Sequence, residues 1–334
     1  MEIKTRNYKL DALKMCLIVL VIFGHIPLLD GFIDLYLPGN YDYMTMHAMK
    51  GIYAFHMPLF VMLSGYFTRQ KTLGVQFFKS LKLLRLFVVF QIIDIFIKYV
   101  LLGETFCWLD ALYPCFALWY LLCLFYWRML LSIIPQKWNP KCIVAISFFI
   151  SIAIGFIKID GIMGLHRFFS FMPYFMIGHY YGEQILKYSE GKKAYTCYRK
   201  IIIIVMFLVL MGFVSLNPYW LDCIIQPYGS LKMSVIRFAY LCYSLLLCYM
   251  FLLCYMLFCI FNFKHDWNGS TLSKLGCETL FFYLLHPYVL YVITIFIVGP
   301  GGKINIFDSI MITVFTVVVL LLMGKIKIIH LLIE

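Results

Sequence analysis

Histidines occur inside long apolar runs of this chain, where an ionisable side chain is costly unless it faces a polar cavity or a partner. The stretch DALKMCLIVLVIFGH, residues 11–25, holds Lys14 and, eleven residues later, His25. On an α-helix that separation is about 16 Å. Lys14 is therefore expected near one membrane face and His25 beyond the midplane. This depth makes His25 a candidate functional residue.

A second histidine begins the next apolar run, FHMPLFVMLSGYF (residues 55–67), which also holds Pro58 and Ser64. The proline can kink or open the helix. His25 and His56 fall in the outer halves of two consecutive antiparallel spans, so they could share one pocket. We predict both as catalytic residues, with Ser64 among the groups that contact the substrate.

The third apolar run begins with basic residues spaced by three, Lys79, Lys82 and Arg85. They line one side of a helix entrance, either as ordinary positive-inside residues or as a site for the phosphates of an anionic cofactor. Lys14, Lys82 and Arg85 are the predicted cofactor-binding residues. Asp94 and Lys98 follow at a spacing that predicts an internal ion pair.

The ninth apolar run carries Glu278 and, two helical turns later, His286 before Pro287. The spacing predicts that Glu278 and His286 lie roughly on one helix face. His286 is either a satisfied core donor or a substrate-binding group. Trp119 opens the fourth run at the outer interface, where aromatic residues are common. We predict substrate contacts for Trp119, Glu278 and His286.

The composition is that of a membrane protein. The 334 residues are 63% hydrophobic and 13% charged, with a mean hydropathy of +0.90, whereas a soluble chain is about a quarter charged. The net charge of +12 is spread between apolar runs, which favours topology signals and contacts with anionic membrane lipids over nucleic acid. The 12 cysteines form no CxxC pair, so we expect neither a disulfide framework nor a metal site.

Ten apolar segments are near the length of a membrane span. They are residues 12–30, 51–68, 83–102, 113–134, 142–158, 165–186, 200–220, 234–262, 275–298 and 305–329. With the amino terminus inside, 21 of the 28 basic residues fall in inner segments. The sequence therefore predicts an all-α polytopic membrane protein with about ten transmembrane helices and both termini cytoplasmic. Residues 1–334 form one domain, and the first span is a retained helix rather than a cleaved signal peptide.

A sheltered histidine can act as a general base near neutral pH. It could take the proton of a sugar hydroxyl that attacks an acyl thioester, while a second polar group stabilises the oxyanion. Basic residues at the inner face would hold a phosphorylated acyl-CoA, and an outer pocket would hold the acceptor. A transporter or flippase for a lipid-linked sugar uses similar residues. A structural partner whose polar groups only join helices explains the histidines poorly.

The motifs resemble those of the acyltransferase 3 family of integral membrane acyltransferases. That family opens with a basic residue, ten intervening residues and a histidine, which here are Lys14 and His25. Its second span typically reads FHMPLFFFLSGY, and this chain has FHMPLFVMLSGYF. Further matching stretches are LKLLRL (81–86), LWYL (118–121), FMPYFMIGHYYG (171–182) and FYLLHP (282–287). The resemblance extends over nearly the whole chain and keeps the family order.

The resemblance implies acyl transfer, most often of acetyl, from acyl-CoA to a carbohydrate or lipid-linked glycan. It implies a bacterial inner-membrane enzyme with His25 as the catalytic residue, Lys14 in the paired basic position and no tightly bound cofactor. The chain looks most like the branch of fucose O-acetylase-like enzymes and polysaccharide O-acetyltransferases. It departs from the pattern at Glu278, where a small polar residue is expected.

Overall fold

The computed structural model describes residues 7–26, 42–101, 108–157, 161–190, 197–215, 231–261, 270–299 and 303–325, and within them the protein is helical without a strand. The helices are α1 (Tyr8–His25), α2 (Tyr43–Tyr53), α3 (His56–Phe67), α4 (Leu73–Phe96), α5 (Trp119–Ile133), α6 (Pro140–Ala153), α7 (Leu165–Glu190), α8 (Cys197–Ser215), α9 (Leu231–Phe261), α10 (Thr271–Leu275), α11 (Thr279–Val298) and α12 (Ile306–Met323).

The helices follow the apolar segments of the sequence, and the all-α membrane class agrees with them. Each of the ten predicted intervals contains helix; α2 and α3 together form the second, and α4 continues the third as a π-helix over Ile97–Leu101. Among the described helices, Ser234–Met256, Thr279–Val298 and Ile306–Met323 are long and apolar enough to cross a bilayer. The ten-span topology stays a prediction. The predicted ends at 27–30, 216–220 and 326–329, and both termini, lie outside the described residues.

Local sequence fixes several helix starts. The side chain of Asn7 accepts a hydrogen bond from the Leu10 amide and caps α1, and Asp42 does the same for α2 through the Thr45 amide. At the start of α12, Asn305 and Asp308 satisfy each other's backbone amides as a capping box. These side chains occupy donors that an isolated helix end would leave unpaired.

Proline interrupts the second span at one defined point. The chain leaves helical geometry at Phe55, between α2 and α3, and Pro58 follows three residues later. A proline ring clashes with the carbonyl four residues earlier and cannot donate to it. That carbonyl belongs to Ala54, and it accepts a hydrogen bond from the Tyr240 hydroxyl at 3.4 Å. The predicted effect of Pro58 on this helix is confirmed.

Glycines bring α3 and α7 into backbone contact. A Cβ atom added at Gly178 would lie 1.8 Å from the Met62 carbonyl oxygen, and one at Gly65 would lie 2.1 Å from the Phe175 carbonyl oxygen. Gly178 and Gly182 form a GxxxG pair, the spacing that lets membrane helices approach closely. This contact fixes α7 against the helix that carries His56.

The interior is formed by α1, α3, α7 and α11, and the surrounding helices expose apolar side chains. Leu13, Leu17 and Val21 of α1 are fully buried. Phe149 of α6 and Phe296 near the end of α11 are 72% and 87% exposed. Apolar exposure on this scale is expected where lipid tails take the place of water.

The predicted ion pair between Asp94 and Lys98 is wrong for the described residues. Asp94 is buried in α4, and its carboxylate accepts a hydrogen bond from the Tyr288 hydroxyl of α11 at 2.5 Å. Lys98 lies in the π-helical turn after α4, with its ammonium 5.5 Å from the Tyr99 ring centre. The change from α- to π-geometry alters the facing that an i,i+4 rule assumes.

Candidate functional site

Two helices from opposite ends of the sequence meet at the centre of the candidate site. Gly276, just before α11, lies so close to α1 that a Cβ there would be 1.8 Å from the Asp11 carbonyl oxygen. The two helices therefore begin on one side and run parallel, and their histidines reach a similar depth. The His25 Nδ1 and His286 Nε2 atoms are 2.8 Å apart, and the two rings are within 11° of parallel.

His286 is held from behind by backbone carbonyls. It is fully buried, and its Nδ1 lies 2.7 Å from the Tyr283 carbonyl oxygen and 3.2 Å from that of Phe282. The structure places His286 against His25, and its predicted contact with substrate stays a prediction. His25 retains 7% of its surface.

His56 lies beside the same pair. Its charge acts electrostatically on His25. A Cβ atom added at Gly24 would lie 3.3 Å from the Tyr53 ring and 3.8 Å from the His56 ring. The His56 Nδ1 donates to the Ile52 carbonyl at 2.8 Å. Among the described residues, the His56 Nε2 and the Tyr53 hydroxyl are buried without a hydrogen-bond partner. Spans one and two thus bring His25 and His56 to one pocket.

A strained segment before α5 closes one wall of this pocket. Phe116 has a φ of 41°, which a bulky residue adopts only when its surroundings enforce it, and its ring packs edge-on to His25 with centres 4.7 Å apart. Gln91 holds the segment by donating to the Tyr113 carbonyl at 2.8 Å and accepting from the Cys115 amide at 3.0 Å. Phe116 was not predicted as a site residue; the available signal was Gln91, a lone amide side chain in an apolar helix.

Arg167 was also missed, because it was counted only as a basic residue of an outer connection. It lies near the start of α7 with its guanidinium 5.0 Å from the centre of the Trp119 ring. Its charge acts on His25, Tyr53 and Tyr283. Within the described residues the guanidinium forms no hydrogen bond or ion pair. Trp119 itself is 7% exposed and packs on Phe171, so the ring under the Arg167 guanidinium is held in place.

The arrangement can transfer a proton and stabilise a negative charge in one sheltered space. A family model described as an acyltransferase domain matches residues 7–324. The chain belongs to the acyltransferase 3 family. Comparisons with curated proteins and with solved structures gave no match. The predicted family is confirmed, while the branch stays a prediction.

In this acyltransferase 3 protein, Ser64 has internal partners. Its hydroxyl donates to the Phe60 carbonyl at 2.9 Å and lies 2.6 Å from the Tyr120 hydroxyl. The Tyr120 ring packs in turn on Tyr283, whose hydroxyl donates to the Ala117 carbonyl. The hydroxyl keeps one further lone pair, and the predicted substrate contact of Ser64 stays a prediction.

The predicted cofactor-binding residues of the family member lie in two settings. Lys14 pairs with Asp11 at 2.8 Å and lies 5.0 Å above the Phe67 ring, so it is engaged inside the protein. Lys82 and Arg85 are exposed and line an open groove of about 510 Å³ on the outer face of α4. The structure therefore does not bring Lys14 together with the other two.

A denser group of cations lies around the connection from α3 to α4, with one member from α5, in the same protein. The Lys71 side chain is within hydrogen-bonding reach of Lys79, which, with partial desolvation and the charges of Arg69 and Arg128, lowers the pKa of the Lys71 ammonium. Bringing like charges together costs free energy unless a bound anion offsets their repulsion. These four residues, the inner basic cluster, could hold the phosphates of a nucleotide cofactor.

Glu278 is separated from the histidines of the acyltransferase. It is exposed at the N-cap of α11 and makes no side-chain capping bond. The helix begins at Thr279, so Glu278 precedes the face that carries His286, about 12 Å along the axis. No group of three or more His, Cys, Asp or Glu side chains among the described residues could hold a metal ion.

Proposed function

We propose that this membrane acyltransferase moves an acyl group, most simply acetyl, from acyl-CoA to a hydroxyl of a cell-envelope carbohydrate or lipid-linked glycan in the bacterial inner membrane. The observation that carries the proposal is the position of His25 at the end of α1. Its side chain keeps a small accessible surface, and its Nδ1 lies 2.8 Å from the His286 Nε2. An ionisable side chain among membrane helices is costly, and this marks it as a candidate functional residue. Family membership supports acyl transfer as its function.

The reaction divides into two proton movements around His25. Its imidazole takes the proton of the acceptor hydroxyl as that oxygen forms a bond to the thioester carbonyl carbon, and the carbonyl π electrons move to the oxygen. When the tetrahedral intermediate collapses, the C–S bond breaks and the CoA thiolate leaves with its electron pair. The imidazolium returns the proton to that thiolate, so His25 ends in its starting state.

Arg167 is the group that we assign to the oxyanion. A permanent cation within a membrane domain is expensive without a counter-charge, and no carboxylate of the described residues pairs with it. It lies within electrostatic range of His25, beside which the thioester carbonyl oxygen would take up negative charge, and the unpartnered Tyr53 hydroxyl lies in the same field. Donors already in position at the site of developing charge are the usual means of lowering such a barrier.

The inner basic cluster supports the donor side of the proposal. Arg69 and Lys71 follow the end of α3, Lys79 lies in the second turn of α4, and Arg128 lies in α5. Lys14 lies over the Phe67 ring at that end of α3, which is the inner side of the predicted topology. The phosphates of acyl-CoA would relieve the mutual repulsion of the cluster while the thioester arm extends towards His25. Lys82 and Arg85, on the neighbouring face of α4, are proposed to add to this attraction.

The proposal is tested in native membranes supplied with radiolabelled acetyl-CoA. His25→Ala is expected to abolish label transfer to the glycan fraction at unchanged protein level. The matched control is His47→Ala, because His47 bonds only to the Tyr43 carbonyl of its own helix and lies outside the pocket. Loss of glycan O-acetyl groups in a deletion strain would identify the acceptor.

Two outcomes would contradict parts of this proposal. Full transfer by His25→Ala would remove the general-base assignment. If the wild-type protein moves glycan across the membrane without labelling it, the protein is a transporter instead. A lower apparent affinity for acyl-CoA in Lys82→Ala and Arg85→Ala is expected, and unchanged affinity in both would return these residues to topology signals.

A further inference from the structure

In α11, Pro287 leaves a backbone carbonyl without its helical partner, and the preceding His286 side chain binds that carbonyl; we call this contact the anchor. Pro287 has no amide hydrogen, so the Tyr283 carbonyl, four residues earlier, loses the helical partner it would otherwise have. The His286 Nδ1 lies 2.7 Å from that same oxygen. A carbonyl oxygen only accepts, so Nδ1 must carry the hydrogen and donate it.

The anchor fixes the tautomer of His286. A neutral imidazole carries one ring hydrogen, so with Nδ1 protonated the His286 Nε2 is an acceptor. That acceptor lies 2.8 Å from the His25 Nδ1, which must then be the donor of the bond between the rings. The opposite tautomer of His286 would set the Nδ1 lone pair against the Tyr283 oxygen at 2.7 Å, which is repulsive.

The tautomer of His286 determines that of His25. With its Nδ1 hydrogen committed to His286, a neutral His25 has a bare lone pair at Nε2. That nitrogen has no hydrogen-bond partner in the described part of the chain and is not among the polar atoms sealed from the surroundings. His56 has the same tautomer through the Ile52 carbonyl, but its Nε2 is sealed. Of these two histidines, His25 alone has an Nε2 that is open to a substrate.

We infer that the Tyr283 carbonyl, His286 and His25 form a relay of hydrogen bonds that presents the His25 Nε2 as the base, with His286 as the positioning residue. This inference rests on the proposed function and names the atom that performs it. When Nε2 takes the proton of the acceptor, the Nδ1 hydrogen of the imidazolium keeps its bond to His286. His286 already holds a hydrogen on the carbonyl side, so the proton stays at Nε2, where the leaving thiolate needs it.

The relay is tested first without substrate, by solid-state ¹⁵N NMR of the histidine-labelled protein in liposomes. The His25 resonances are identified by their loss in His25→Gln. The expected wild-type state is protonated Nδ1 and bare Nε2. His286→Leu should shift His25 towards the Nε2–H form, whereas His286→Gln, whose carboxamide oxygen accepts a hydrogen bond, should keep the wild-type state. His47→Gln is the control that should change neither.

Turnover of labelled acetyl-CoA supplies the second readout. His286→Leu is expected to lower kcat by about 10²-fold with the KM for acetyl-CoA unchanged, and His286→Gln should recover to within about tenfold of wild type. A purely structural role would reduce both variants alike, in step with their melting temperatures.

The two proposals fail in different ways. A wild-type His25 with Nε2–H, or full kcat in His286→Leu, would overturn the relay even where His25→Ala is inactive. The expected tautomer together with full activity of His25→Ala would instead overturn the proposed function, and with it the catalytic meaning of the relay.

Discussion

The crossing of α3 and α7 leaves no room for a methyl group. In Gly178→Ala the new carbon would lie 1.8 Å from the Met62 carbonyl oxygen, whereas ordinary contact begins near 3.4 Å. The shortfall of about 1.6 Å falls on backbone atoms, which have no rotamer to change. The helices must separate, and we expect a loss at or above the upper end of the ~1–3 kcal/mol typical of overpacking.

The matched control is Gly212→Ala in α8, where an added Cβ meets no atom within 4 Å. There the helix gains up to about 1 kcal/mol from the better propensity of alanine. The two variants should therefore differ by about 3 kcal/mol, which corresponds to a difference of roughly 5 °C or more in melting temperature in detergent at one scan rate.

The same displacement should reduce activity, because α3 carries His56 and α7 carries Arg167. A misplacement of about 1 Å is enough to lower turnover by ~10²-fold. If Gly178→Ala melts and turns over like Gly212→Ala, then α3 and α7 do not meet at this contact, and the helix positions behind the site are wrong.

Three further outcomes follow from contacts around the pocket. Arg167→Met should lower kcat by about 10²–10³-fold with both neutral and acidic acceptors, and Arg167→Lys should recover part of it, whereas a loss confined to acidic acceptors would make the residue an acceptor-binding group. Lys71→Gln should raise the KM for acyl-CoA and weaken its dependence on salt concentration; an unchanged salt dependence would exclude the inner basic cluster from donor binding. Tyr288→Phe should destabilise the protein by ~1–3 kcal/mol because Asp94 loses its described partner, and melting no lower than that of the exposed Tyr249→Phe would contradict this.

Apolar periodicity and proline chemistry accounted for much of the fold. A helix needs a long apolar run to exist in lipid, so the runs located the helices, and Pro58 indicated the break at Phe55, three residues before it. These features depend on neighbours in the sequence. The pairing of Asp94 with Tyr288, 194 positions away, depends on how α4 and α11 pack, and the i,i+4 rule could not supply it.

The residues of the candidate site also fall into two groups, those that nearby sequence predicts and those that depend on contacts between distant elements. Lys14 and His25 share one helix, so their relation was readable, and His56 followed from antiparallel neighbours. Arg167 carries a charge that counts equally as a topology signal, and nothing in its flanking residues marks it as internal. Phe116 enters the pocket only because Gln91 holds its segment, which is a contact between elements.

The hydrogen bond between His25 and His286 can form only late in the synthesis of the chain. Its two residues are 261 positions apart in the chain, and α11 leaves the ribosome late. At ~5–20 residues per second, about 13–52 s separate the synthesis of the two histidines. During that time His25 has no partner for its Nδ1, so a nascent chain that already holds α1 and the inner basic cluster would lack the relay. Under the proposed function, a half-made protein would therefore lack the positioned base that acyl transfer requires.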